Sequence, residues 1–86
     1  MTERARVLIA DDEDSIRFVL RETLESGGHE VVDVADGDAA LAAIASSDFE
    51  ICFFDIRMPG PDGLELLDRL KATGHQTAVV IITAQN

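Results

Sequence analysis

Three carboxylates close two apolar runs: Asp11 and Asp12 follow Val7-Leu8-Ile9-Ala10, and Asp55 follows Ile51-Cys52-Phe53-Phe54. If the two runs are neighbouring parallel strands, their carboxyl ends crowd three like charges into one crevice. Such crowding is costly unless a divalent cation neutralises it. Mg²⁺ suits the set, because it takes oxygen ligands in an octahedron, usually one or two carboxylates completed by water and phosphate oxygens. A metal held there would also reduce the repulsion between Asp55 and an incoming phosphoryl group, so that the carboxylate could attack phosphorus and form an acyl phosphate. Each part also has a plain explanation. Acids ahead of a helix cap its free N–H groups and favour its positive end, and an aspartate after a strand is an ordinary turn former.

What favours a site is the conjunction, and it depends on the elements that carry the three acids. The first strand is read at residues 7–10. Ile16, Val19, Leu20, Thr23 and Leu24 then recur at helical spacing, with Asp14 or Ser15 as the cap and Gly27-Gly28 as the stop. A second strand at 31–35 leads through Asp36-Gly37-Asp38 into an alanine-rich helix that can bury Ala40, Leu41 and Ile44. The third strand, Ile51–Asp55, leads through Met58-Pro59-Gly60-Pro61-Asp62-Gly63 into a helix expected to bury Leu64, Leu67 and Leu70. The last strand is the uninterrupted run Ala78-Val79-Val80-Ile81-Ile82. Strands one, three and four are apolar almost throughout, as parallel strands covered on both faces are, whereas Glu30 and Asp33 mark strand two as an edge. Right-handed crossovers then give an α/β doubly wound parallel sheet of order 2-1-3-4 with three helices. Ligands of such sheets bind beyond the carboxyl ends, at the switch between strands one and three, where Asp11, Asp12 and Asp55 fall.

The 86 residues allow one small domain, with no internal repeat or linker. The balance of 17 acidic to 7 basic residues, a net charge of −10, argues against a nucleic acid backbone or an anionic membrane as partner. A single cysteine, Cys52, rules out an intrachain disulfide. No apolar stretch is long enough to span a bilayer, and the N-terminal segment is unlike a signal peptide, so a cytoplasmic protein is expected.

Three stretches, Val7-Leu8-Ile9-Ala10-Asp11-Asp12-Glu13-Asp14-Ser15-Ile16-Arg17, Asp55-Ile56-Arg57-Met58-Pro59-Gly60-Pro61-Asp62-Gly63 and Ile81-Ile82-Thr83-Ala84, carry a close resemblance. The sequence resembles the receiver domain of bacterial two-component response regulators, with residues 55–63 most similar to the nitrogen-regulatory class, whose intact members place an ATPase module and a DNA-binding module after the receiver. The resemblance implies a flavodoxin-like fold and a phosphorelay function in transcription regulation. A partner histidine kinase would donate a phosphoryl group to Asp55, and the chain would assist its own phosphorylation and dephosphorylation without being an enzyme. It further implies Asp12 as a direct Mg²⁺ ligand, Asp11 as an acid acting mainly through metal-bound water, and Arg57 as the donor of a backbone carbonyl to the metal. Thr83 matches the switch hydroxyl, whose rival reading is an ordinary strand-end threonine, and Ala84 keeps access open. Full members continue with a fourth helix, a fifth strand and a fifth helix, which hold a lysine for the phosphoryl group, its neighbouring proline and the aromatic partner of the switch hydroxyl. Residues 1–86 therefore read as a partial receiver domain, and Lys71, near the end of the third helix, cannot stand in for that lysine.

The remaining candidates are weaker. Cys52 reads as a core residue, and His29 and His75, in helix-to-strand connections without ligand spacing, as surface residues. Phe18, Phe49, Phe53 and Phe54 read as core or helix flank, since no basic cluster accompanies them as a base-stacking platform requires. An aspartyl phosphohydrolase would need a second acid two residues after its nucleophile, where Arg57 stands. Dinucleotide binding would need glycine in the first turn, where four acids stand. The rival to a phosphorylatable module is a structural or self-association unit that no longer signals. Strand four, left as a long apolar edge beside an uncovered sheet face, predicts a homo-oligomer built by pairing fourth strands or packing the bare faces.

Overall fold

The computed structural model describes residues 4–74 and 76–83. In chain order its elements are β1 (Arg6–Ala10), α1 (Asp14–Ser26), β2 (Glu30–Val34), α2 (Gly37–Ser46), β3 (Ile51–Asp55), α3 (Gly63–Thr73) and β4 (Ala78–Ile82). The four strands form one parallel sheet in the order β2-β1-β3-β4, with three helices, as the alternation of apolar runs and helical spacing requires. Strand β4 begins and ends where its apolar run does, and β3 spans its apolar run plus Asp55, as expected. Strands β1 and β2 each start one residue before theirs, because Arg6 and Glu30 are ladder partners whose side chains form an ion pair (3.2 Å), and β2 ends at Val34, leaving the expected Ala35 in the turn into α2. The Arg6 guanidinium also lies 5.1 Å from the centre of the Phe49 ring. A charged pair of this kind is invisible to a reading of hydropathy.

The central strand is buried on both faces, which is why Val7, Leu8, Ile9 and Ala10 are apolar without alternation. On one face Leu8, Ala10, Cys52 and Phe54 pack with Ala40, Phe49, Leu66 and Leu70 beneath α2 and α3. On the other, Val7, Ile9 and Val31 are covered by Leu20 and Leu24 of α1, with Ile51 and Phe53 alongside. Burial of a large aliphatic or aromatic side chain contributes about 1.5–3 kcal/mol, so the α2–α3 side carries most of the core. Helix α1 has no fully buried residue, and Phe18 and Val19 on its flank are 65% and 59% exposed. Of the four phenylalanines, Phe49 and Phe54 are core, Phe53 is partly buried and Phe18 is flank.

Two helical details differ from the sequence expectation. Helix α3 buries Leu66 and Leu70, while Leu67 is half-buried and Leu64 is 53% exposed. Its phase is set at the first turn, where Asp62 caps the helix by accepting the Glu65 N–H (3.0 Å) and Gly63 is wedged against the backbone of Asp55. With Gly63 inward, the inward positions are 66 and 70, three and seven residues on. Helix α1 is preceded by Glu13 at the cap position, and no side chain caps it. The Asp14 carboxylate, expected as a cap, instead pairs with Arg17 one turn on.

Candidate phosphoacceptor and metal site

The strand order that reverses between β1 and β3 brings the ends of both strands to one crevice. Asp11 follows β1 directly, and its N–H continues the ladder by donating to Val34 O (3.2 Å). Asp11 is 3% exposed, and its Oδ1 accepts the Glu13 N–H (2.9 Å). Asp55, the last residue of β3, is 6% exposed, and its Oδ1 accepts the Arg57 N–H (3.1 Å). Both aspartates thus use the same local device, a side chain bonded to the backbone two residues on, which fixes the plane of the carboxylate and turns the chain out of the strand. Asp12 is exposed and has no hydrogen-bond or ion-pair partner among the described residues.

One oxygen from each of Asp11, Asp12 and Asp55 can be chosen so that all three lie within 4.8 Å of one another. Burial pushes the Asp11 carboxyl above its ordinary value, and the neighbouring charges of Asp55 and Asp12 push the same way, while the Glu13 N–H opposes them. An all-oxygen donor set with two buried arms and one exposed, unengaged arm suits a hard divalent cation that retains part of its water shell. The charge crowding that such a cation would relieve is already present.

The surroundings are built for close approach. A Cβ on Gly63 would stand 2.4 Å from the carbonyl oxygen of Asp55, so only glycine lets the start of α3 rest against the end of β3. The loop 56–62 is held from the other side: Gly37 N–H donates to Pro59 O (3.0 Å), and a Cβ on Gly37 would meet Pro61 O at 1.9 Å. The Asp36 side chain caps α2 by accepting the Ala39 N–H (2.8 Å). Gly37 is explained by the approach of a segment 24 residues on, which the sequence around it does not show, whereas Gly63, at the end of the 55–63 stretch, meets the strand end only eight residues before it.

Of the other expected site residues, Arg57 is exposed, with its N–H on Asp55. Thr83 is exposed and stands one residue beyond Ile82, the ladder partner of Asp55, so the β3–β4 register carries it to the same end of the sheet. Ala84 and His75 lie outside the described residues. Lys71 sits in the last turn of α3. Cys52 is fully buried in mid-strand, and burial pushes its thiol up to about 12, in keeping with a core residue. His29 does more than the surface role expected of it: it is partly buried and its Nδ1 accepts the Ala5 N–H (3.0 Å).

The sheet order and the acidic crevice at its switch point define a flavodoxin-like doubly wound fold with its ligand site at the carboxyl ends of β1 and β3. Residues 7–86 match the response regulator receiver domain, and the chain belongs to that family. It is 39% identical over 84 residues, 98% of its length, to the DNA-binding transcriptional regulator NtrC of Salmonella typhimurium. Among solved structures it is similar to the chemotaxis response regulator CheY4 of Vibrio cholerae, at 32% identity and a TM-score of 0.87, covering 98% of this chain and 72% of that one. It is also similar to the response regulator TrrA of Thermotoga maritima in complex with Mg²⁺ and BeF, at 32% identity and a TM-score of 0.85, covering 94% of this chain and 70% of that one. The chain spans 18% of the NtrC regulator's own length and no more than 37% of the first curated relatives it matches. No described helix is long and apolar enough to cross a membrane.

Proposed function

We propose that this chain is a phosphorelay receiver that accepts a phosphoryl group on Asp55 from the phosphohistidine of a partner kinase in the cytoplasm, as part of a transcriptional response regulator. The observation that carries the reading is the three-carboxylate crevice, with Asp55 held at its floor and Asp12 unengaged at its rim. In the transfer, a carboxylate oxygen of Asp55 forms the new bond to phosphorus, the phosphorus–nitrogen bond breaks, and the electron pair leaves with the donor imidazole. Asp11, Asp12 and Asp55, with the backbone carbonyl of Arg57, would hold Mg²⁺. When bound, that ion would offset the charge of the carboxylates and of the incoming group. Asp11 fixes one wall of the crevice through its bond to the Glu13 N–H, and the Gly63 contact keeps the Asp55 backbone rigid. Thr83, at the end of β4, is the hydroxyl that would report the modified state.

The intact mass after incubation with acetyl phosphate and Mg²⁺ tests the reading. The parent should gain one phosphoryl group and Asp55→Asn none; equal labelling of the two would remove Asp55 as the acceptor. The second reading, a self-associating structural module, is favoured by the exposed apolar side chains of Phe18 and Val19 on α1 and of Val80 on β4. A parent that takes up no phosphoryl group yet associates would support it.

A further inference from the structure

Arg17 holds the crevice together from outside it. We propose that Arg17 is a positioning residue for cation binding, acting through the peptide that joins Asp11 to Asp12, an inference that rests on the metal site put forward above. The Arg17 side chain is 16% exposed, and each of its three guanidinium nitrogens donates a hydrogen bond. Nη1 donates to the backbone carbonyl of Asp11 (2.7 Å), Nε donates to Asp33 Oδ2 of β2 (3.3 Å), and Nη2 donates to Asp14 Oδ1 at the start of α1. Arg21 donates to the other oxygen of Asp33 and to Glu25, so it adds a neighbouring positive charge without bonding the Asp11 carbonyl.

The Asp11 carbonyl is the critical contact. The Asp11 N–H is fixed by Val34 O and its carboxylate by the Glu13 N–H, but the peptide leading to Asp12 lies past the last ladder bond. Asp12 has no side-chain partner among the described residues, so the orientation of that peptide, which sets the Cα–Cβ direction, decides from where its carboxylate reaches toward Asp11 and Asp55. Arg17 is the group that bonds it. A planar fork with five donors can satisfy two carboxylates and a carbonyl at once, whereas an ammonium is a point donor and would be drawn to the carboxylates.

Coulomb's law and positioning predict opposite signs here. Removing a cation beside an acidic crevice should tighten Mg²⁺ binding if charge alone matters. Loss of an outer hydrogen bond that aims a ligand weakens metal binding by about 10–100-fold. Titration of the ¹⁵N-labelled chain with MgCl₂, followed by NMR, gives the Kd, and the dispersion of the metal-free spectrum reports folding. Arg17→Ala and Arg17→Lys should both raise the Kd by about tenfold or more. Arg21→Gln, which removes a neighbouring charge but leaves the Arg17 fork, should leave the Kd within about twofold or tighten it. If Arg17→Ala does not fold, the charge-conserving lysine variant decides. A parent-like Kd in Arg17→Lys, or an equal loss in Arg21→Gln, would overturn the assignment. A parent whose spectrum does not respond to Mg²⁺, or responds equally in Asp12→Ala, would overturn the metal site itself and the role of Arg17 with it.

Discussion

At the residue scale, Asp11 is where the fold works against its own stability. Its folded pKa lies above the unfolded value, first through burial and then through Asp55 and Asp12. The unfolded chain therefore loses this proton earlier as pH rises. The stability Asp11 contributes is fully present below the unfolded pKa, about 3.9, and is lost as pH climbs through the folded one. Denaturation by urea in a chelator, repeated across that window, should show the decline in the parent and not in Asp11→Asn, which keeps an oxygen for the Glu13 N–H. Equal pH slopes would mean that the cost lies elsewhere. Mg²⁺ binding only to the folded form should oppose the effect, stabilising the parent by about 2.7 kcal/mol at a hundredfold excess over its Kd. The three acids were legible in the sequence because each closes an apolar run and a doubly wound sheet sends such ends to one place. The contacts of Arg17 with Asp33 and of Gly37 with Pro61 were not, because they depend on the return of segments from elsewhere in the chain. The one local hint for Arg17, an acid three residues before it, is shared by many surface helices.

At the scale of elements, helix starts separate local from tertiary control. Asp36 and Asp62 cap α2 and α3 through their side chains, and changing either to alanine should cost about 1 kcal/mol in chemical denaturation. Glu13→Ala at the head of α1 removes no such bond and should stay within about 0.5 kcal/mol of the parent. A cap effect at Glu13 as large as at Asp36 would contradict this assignment. Gly37→Ala drives a Cβ into the Pro61 carbonyl, so it should destabilise by about 1–3 kcal/mol despite the better helix propensity of alanine. The extents of β3 and β4 followed from apolar runs, which mark a strand covered on both faces. The inward face of α3 did not, because Leu64, Leu66, Leu67 and Leu70 offer competing stripes, and the choice between them is made by where Gly63 meets Asp55.

Across the whole molecule the two sides of the sheet are unequal. Two helices cover one face and a single helix, with no fully buried residue, covers the other, while β4 pairs only with β3 among the described residues. Phe18, Val19 and Val80 remain exposed on the sparsely covered side. An apolar edge strand with exposed apolar side chains favours association, so light scattering at rising micromolar concentration should show mass above that of one chain, and Val80→Lys should reduce it. A single monomeric species throughout would exclude self-association by this face. The same sheet contains a reporter of its own integrity. Cys52 lies in mid-strand with no exposed surface, three residues before Asp55, and its thiol is held in the unreactive protonated form. An alkylating reagent can reach it only when β3 separates from its neighbours. The rate of alkylation under native conditions therefore clocks the opening of the strand that ends at the crevice, and any ligand that ties β1 to β3 there should slow the clock in proportion to its concentration over its Kd.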